Sequence, residues 1–125
     1  MTDAQTAAMQ CLEDFMSAWN ARDLPRWAAT FNYPSVRIAS GRVRIIESAA
    51  SHLPDTFERM AGAGWHHSAW LRRNVIHSGD DKVHFETCFG RYREDGSLIG
   101  EYDSIYIVSK QDGRWSMQGR SSFAA

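Results

Sequence analysis

The sequence predicts an α+β fold in which N-terminal helices pack on one face of a strongly curved antiparallel sheet. Three observations carry this. Apolar residues recur at three- and four-residue spacing through much of the first half. From Lys82 to Phe123 polarity alternates instead, interrupted by the pairs Asp95-Gly96 and Asp112-Gly113, which suit two-residue hairpin loops because both central positions need positive φ. Helical runs followed by strand runs give segregated layers rather than alternating βα units.

The elements follow in order. From Asp3 to Trp19, Ala8, Cys11, Leu12, Phe15, Met16 and Trp19 form the inward stripe of a long helix. Asp23 is a natural N-cap for a second, short helix, with Pro25 in its first turn and Trp27, Ala28 and Phe31 on its buried side, and Pro34 stops it. Ser35–Ala39 and Arg42–Ile46 alternate around Ser40-Gly41 as a small hairpin, with Val36, Ile38, Val43 and Ile45 pointing one way. A third helical stretch runs from Glu47 to about Ala61, where Pro54 should kink or divide it and Gly62 and Gly64 end it. Trp65 to His77 is a long strand that enters the sheet through Gly79-Asp80-Asp81.

Two-residue loops fix the register of the last three strands. Phe89 then lies opposite Tyr102, Thr87 opposite Ser104, Phe85 opposite Tyr106 and Val83 opposite Val108, and the final strand adds Phe123, Ser121, Gly119 and Met117 to the same four rows. This aromatic face carries one polar row, Thr87, Ser104 and Ser121. The other face carries Glu86, Ile99, Asp103, Ile105, Ile107 and Arg120, and a bulge at Gly90, Gly100 or Gly119 would exchange faces beyond it. For the strand 65–77, a two-residue loop puts Ser68, Trp70, Arg72, Asn74 and Ile76 on the aromatic face, whereas a three-residue loop puts Leu71, Arg73, Val75 and His77 there. The first is preferred because it sets Arg72 or Asn74 beside the hydroxyl row.

Composition bounds the function. A chain of 125 residues is one domain, 1–125, with a bulky core available from five tryptophans, four tyrosines and six phenylalanines. A net charge of −1 gives no electrostatic reason to expect nucleic acid or an anionic membrane. The pairs Arg42 and Arg44, or Arg72 and Arg73, look like those of a solvated strand. No apolar run has membrane-spanning length and no signal segment is apparent, and the two cysteines, Cys11 and Cys88, stand on different elements, so a reducing cytoplasm is the expected compartment. The histidines show no metal-ligand spacing, and no phosphate-cradling loop or nucleophile elbow is present, so neither a metal nor a cofactor is expected.

The segment Ala18-Trp19-Asn20-Ala21-Arg22-Asp23-Leu24, the Phe31-Asn32-Tyr33-Pro34 strand entry and the final Asp112-Gly113-Arg114-Trp115 give the chain a resemblance to the NTF2-like superfamily, in particular its SnoaL-like branches. The resemblance spans nearly the whole chain. It implies a cone-shaped half-barrel with a pocket between sheet and helices, and a homodimer formed through the outer sheet face. That face would carry Glu86, Ile99, Ile105, Ile107 and Arg120, with Glu86 and Arg120 as an ion pair.

Enzymes of the superfamily place an Asp, Glu or His among apolar walls, where burial moves its pKa toward neutrality. This chain departs from that pattern, because the predicted register turns Asp103 and Glu86 outward. The catalytic candidates are His66 and His67 at the rim, and Asp103 if a bulge turns it inward, with Tyr33 and His52 as further proton-transfer candidates from the helical layer. The expected ligand-binding set is Tyr33, Trp70, Arg72, Thr87, Phe89, Tyr102, Ser104 and Ser121. Arg72 stands out, since an arginine on an apolar concave face needs an anionic partner.

Two functions fit. One is a pocket for a small, largely apolar ligand, whose enzymatic version would be cofactor-independent acid-base chemistry of the isomerase, dehydratase or cyclase kind. The other is a non-catalytic dimeric module whose cone is filled by its own side chains. A cavity of roughly 300 Å³ or more among Tyr33, Trp70, Phe89 and Tyr102 would favour the first.

Overall fold

A computed structural model describes residues 1–125. Its helices are α1 (Asp3–Asn20), α2 (Leu24–Ala28) and α3 (Thr56–Gly62), and its strands are β1 (Phe31–Ala39), β2 (Arg42–Ile46), β3 (His67–Ser78), β4 (Lys82–Tyr92), β5 (Leu98–Gln111) and β6 (Arg114–Ser122). The strands form one sheet in the order β2-β1-β6-β5-β4-β3, antiparallel except where β1 runs parallel to β6. This is the α+β architecture expected.

The helix ends follow from their side chains. Thr2 accepts from the Gln5 main-chain N–H and the Gln5 side chain returns to the Thr2 N–H, a capping box that fixes the start of α1. Its stripe of Ala8, Cys11, Leu12, Phe15 and Met16 is buried against the sheet, where Phe31, Phe85, Val83, Val108 and Met117 complete the core. Arg22 ends the turn at φ 56, and Asp23 caps α2 by accepting from the Arg26 N–H at 3.1 Å. Pro54 divides the third helical stretch, leaving a 3-10 turn over Ala49–Ser51 before α3 begins. Phe31 and Pro34, assigned to the end of the short helix by sequence, instead open β1.

The β4–β5 register is as predicted from Val83 opposite Val108 to Phe89 opposite Tyr102, although the loop is not the two-residue turn expected. Arg93 and Ser97 close a three-residue loop with Gly96 at φ 84, and a bulge beside Ile99 then restores the register by one residue. The two departures cancel. The Asp112-Gly113 turn does have both residues at positive φ, 52 and 77.

The β5–β6 pairing departs from expectation. Val108 faces Met117, but Ile107 faces Gly119, so Gln118 is an extra residue in β6. Its side chain donates to the Pro34 main-chain oxygen and accepts from Ser109, so the extra residue is tied down on both sides. Beyond it every side chain changes face. Arg120 and Ser122 turn inward beside Tyr106 and Ser104, whereas Ser121 and Phe123 turn outward, Phe123 being 87% exposed.

The β3 strand combines both registers weighed from the sequence. Shifts at Ile76 and Leu71 place Arg73 and Val75 inward in its middle and Ser68 and Trp70 inward at its end. Arg72 therefore lies on the outer face, where Glu86 receives a bidentate contact from it and Asp103 lies 3.3 Å away. The predicted Glu86–Arg120 pair does not form, because the bulge at Gln118 carries Arg120 to the opposite face. Ile105 and Leu71 are exposed on the outer face, as are Ile38, Val43 and Ile45 along β1 and β2. No helix is long and apolar enough to cross a membrane.

Candidate functional site

Residues paired across neighbouring strands point to one face, so the inner rows can be read from the pairings. Arg44 on β2 lies beside Arg37 on β1, Arg37 beside Arg120 on β6, and Arg120 beside Tyr106 on β5. Three arginines on three adjacent strands thus share one row of the concave face. Like charges placed side by side across strands repel, and do so more strongly where water is excluded. The partners found are neutral main-chain oxygens, that of Ala124 for Arg37 at 3.4 Å and that of Ser51 for Arg44 at 2.7 Å, while Arg120 lies beside the neutral Tyr106 across the strand pair.

The row lines an open-mouthed cavity of about 640 Å³ between α1, the segment around His52 to Met60, the β1–β2 hairpin and the inner faces of β4 to β6. Phe15, Trp19, Trp27 and Phe89 supply apolar wall, and Arg42, Arg59 and Arg91 add further positive charge toward its edges. No Asp or Glu is among the lining residues. Burial holds the Arg120 guanidinium below the usual arginine range, Tyr106 opposes this, and Arg37 and Arg44 add to it. Burial likewise lowers Arg37 and Arg91. The Arg120 guanidinium carbon lies 5.5 to 5.6 Å from the ring centres of Phe15, Trp27 and Phe31, a cation held over aromatic faces with its Nε unpaired.

His52 stands beside this group, buried to 7% exposure, with its ring 4.8 Å from that of Trp27 and 4.7 Å from that of Phe31. Burial, Arg120 and Arg44 all disfavour its charged form and lower it from 6.5 to about 4. The folded pKa is below the unfolded one, so between these values the unfolded chain binds more protons and stability rises with pH. Urea unfolding followed from pH 7 down to 4 is expected to show a loss of stability in that window that is smaller in His52→Phe. Equal losses in both proteins would show that other groups carry the acid sensitivity.

The sequence candidates are distributed as follows. Phe89 lines the cavity, and Ser122 takes the place foreseen for Ser121, accepting or donating at 2.7 Å with Ser104. Thr87 is buried and donates to the Ser104 main-chain oxygen. Trp70 is committed to the core by its indole bond to the Leu12 oxygen, and Tyr102 packs on Phe89. Tyr33 lies behind His52, with its hydroxyl 3.0 Å from His52 Nε2. Arg72 and Asp103 are on the outer face, His66 is exposed, and His67 stacks on Tyr92, so none of these four lines the cavity. No group of three or more His, Cys, Asp or Glu side chains is placed to hold a metal ion.

Sequence reasoning missed Arg37, Arg44 and Arg120. The signal for the first two was present: they alternate with Ile38, Val43 and Ile45, which the sequence points one way without assigning either face to the site. The apolar set is on the outer face, 46%, 68% and 49% exposed, and the two arginines are on the other. Arg120 was hidden by a bulge with no distinctive residue beyond the adjacent Gly119.

Comparison with known proteins places this geometry in context. A family model described as NTF2-like protein (DUF6841) matches residues 4–120. Nothing among curated proteins matches the sequence. Among solved structures, an NTF2-like protein of unknown function from Pseudomonas putida KT2440 superposes with a TM-score of 0.78 at 19% identity, covering 100% of this chain and 89% of its own. An NTF2-like protein with a cystatin-like fold from Novosphingobium aromaticivorans has a TM-score of 0.79 at 10% identity, covering 97% and 81%. A ketosteroid isomerase-like protein from Erwinia carotovora atroseptica SCRI1043 has a TM-score of 0.72 at 14% identity, covering 98% and 97%. Similarity at these identities speaks for the shared fold alone.

Proposed function

The chain belongs to the NTF2-like family DUF6841, and from that premise we propose that its cavity binds a small, largely apolar molecule carrying a carboxylate or comparable anion. The observation that carries this is the row Arg44, Arg37 and Arg120 facing a cavity that no Asp or Glu side chain lines. A guanidinium row of this kind is repulsive when empty and attractive to a planar anion, which it can meet bidentately. The aromatic walls supply the matching surface for a ring or hydrocarbon body.

A space of about 640 Å³ also favours a binding cavity over a cone filled by its own side chains, although it lies nearer β1, β2 and β6 than foreseen and of Tyr33, Trp70, Phe89 and Tyr102 only Phe89 lines it. Binding is favoured over proton transfer because, of the residues first considered for acid-base work, His66, His67 and Asp103 do not line the cavity, Tyr33 stands behind His52, and His52, which does line it, has its charged form disfavoured by burial, Arg120 and Arg44. The arginine foreseen from the sequence as an anion partner is replaced in that role by Arg120.

Benzoate and benzamide have nearly the same shape and differ in charge. Benzoate is expected to bind in calorimetric titration and to raise the thermal midpoint, by about 2.7 kcal/mol of added stability at a hundredfold excess over its Kd, while benzamide does neither. Equal effects of the two, or binding by neither at millimolar concentration, would overturn the assignment.

A further inference from the structure

Resting on the anion-pocket reading, we infer that His52 is a hydrogen-bond acceptor inside the cavity, and that the ligand is a hydroxy acid whose hydroxyl donates to His52 Nδ1 while its carboxylate meets the arginine row. The argument begins behind the histidine. The Tyr33 hydroxyl has one proton, and the Ala28 main-chain oxygen, 2.7 Å away, can only accept it. The Tyr33 oxygen, 3.0 Å from His52 Nε2, is then left to accept, so Nε2 is the nitrogen that carries hydrogen. In the neutral ring this makes Nδ1 a lone pair. The α2 carbonyl, through Tyr33, thereby sets the tautomer of a residue two contacts away.

Nothing in the protein donates to Nδ1, and it is not among the buried polar atoms left without a partner, so it has access to the cavity that His52 lines. The charged and titratable groups facing this ring are Arg120 from β6, Arg44 from β2 and Tyr33 from β1, two cations and a phenol, with no carboxylate to favour an imidazolium. Arg120 and His52 also share the same two rings, Trp27 and Phe31, each within 6 Å of both. A fixed acceptor next to a fixed cation asks for a ligand with a donor close to its anionic group. A simple carboxylate would leave Nδ1 without a partner once it displaced water, which is the situation a hydroxyl on the adjacent carbon relieves.

The test compares mandelate with phenylacetate, which differ by one hydroxyl, in calorimetric titrations at neutral pH. Mandelate is expected to bind about fivefold to tenfold more tightly. In His52→Phe, which keeps an aromatic ring against Trp27 and Phe31, the affinities of the two acids are expected to fall within about twofold of each other. The wild-type protein offers a check that needs no variant: nitrogen NMR should show the Nε2–H tautomer, with the Nδ1 resonance moving on addition of mandelate and not of phenylacetate. Equal affinities in the wild type, a mandelate advantage that survives His52→Phe, or proton uptake by His52 on binding either acid would each overturn the inference and leave the anion pocket standing. Binding of neither acid would remove both.

Discussion

Arg120→Met is expected to weaken benzoate binding about 100-fold and, in the ligand-free protein, to raise the thermal unfolding midpoint. Both effects have one source. The guanidinium sits at the inner end of the row, between Arg37 and Tyr106, and is held below the usual arginine range mainly by burial. Its charge is therefore a cost to the empty fold. Methionine has a similar reach, and its thioether can lie against Phe15, Trp27 and Phe31 where the guanidinium now lies.

The variant loses a desolvation penalty and one repulsive neighbour, and it takes the cation away from the Tyr106 phenol beside it, so the net gain is about 1 kcal/mol, or a few degrees. The same change removes the most deeply buried cation of the row, and truncating a buried partner of an anion costs roughly 3 kcal/mol in binding. Arg120→Lys keeps the charge without the planar fork and should fall between. Calorimetric titration with benzoate and a thermal melt of each variant measure both quantities. A variant that is less stable and still binds benzoate would show that Arg120 serves the fold and not a ligand.

This opposition between fold and site also explains which parts of the molecule could be read from its sequence. α1, its cap-to-turn boundaries and the pairing of Phe85 with Tyr106 follow from local rules that agree with the tertiary structure: helical spacing, an Asp cap, strand alternation. The site depends on places where the rules are broken. Gln118 is an extra residue whose presence is decided by the Pro34 oxygen and Ser109, neither near it in sequence, yet it determines that Arg120 rather than Ser121 faces the cavity. The shift at Leu71 does the same for Arg72 and Arg73. A bulge leaves no periodic signature, only a change of phase, so the hydroxyl row was foreseen with two of its members right and the third one residue off. On β1 and β2 the two faces were separated correctly, but apolar alternation does not say which of them lines a cavity.

Phe31→Ala is expected to cost 3–5 kcal/mol, the largest stability effect of any single substitution argued for this chain. Phe31 is fully buried, and it is the ring on which the core and the site meet: Phe15 lies 5.6 Å away and Trp27 4.8 Å edge-on from the core side, while His52 at 4.7 Å and Arg120 at 5.5 Å rest on it from the cavity side. Removing the ring opens a void that α1 and β6 cannot close without moving, because each is fixed by its own partners. Set against the 5–15 kcal/mol that holds a typical domain together, the loss leaves a marginal fold. Phe31→Leu restores most of the volume and should recover more than half of the stability, but it removes the flat face under His52 and Arg120. Urea unfolding of the two variants tests the first part, with a cost below about 1.5 kcal/mol for alanine counting against the packing described. Benzoate titration of Phe31→Leu tests the second: a stable protein with weakened binding is the expected result, since the anion site needs the aromatic surface that orients its cation, and undiminished binding would mean that the strand pairing alone is enough to hold Arg120 in place.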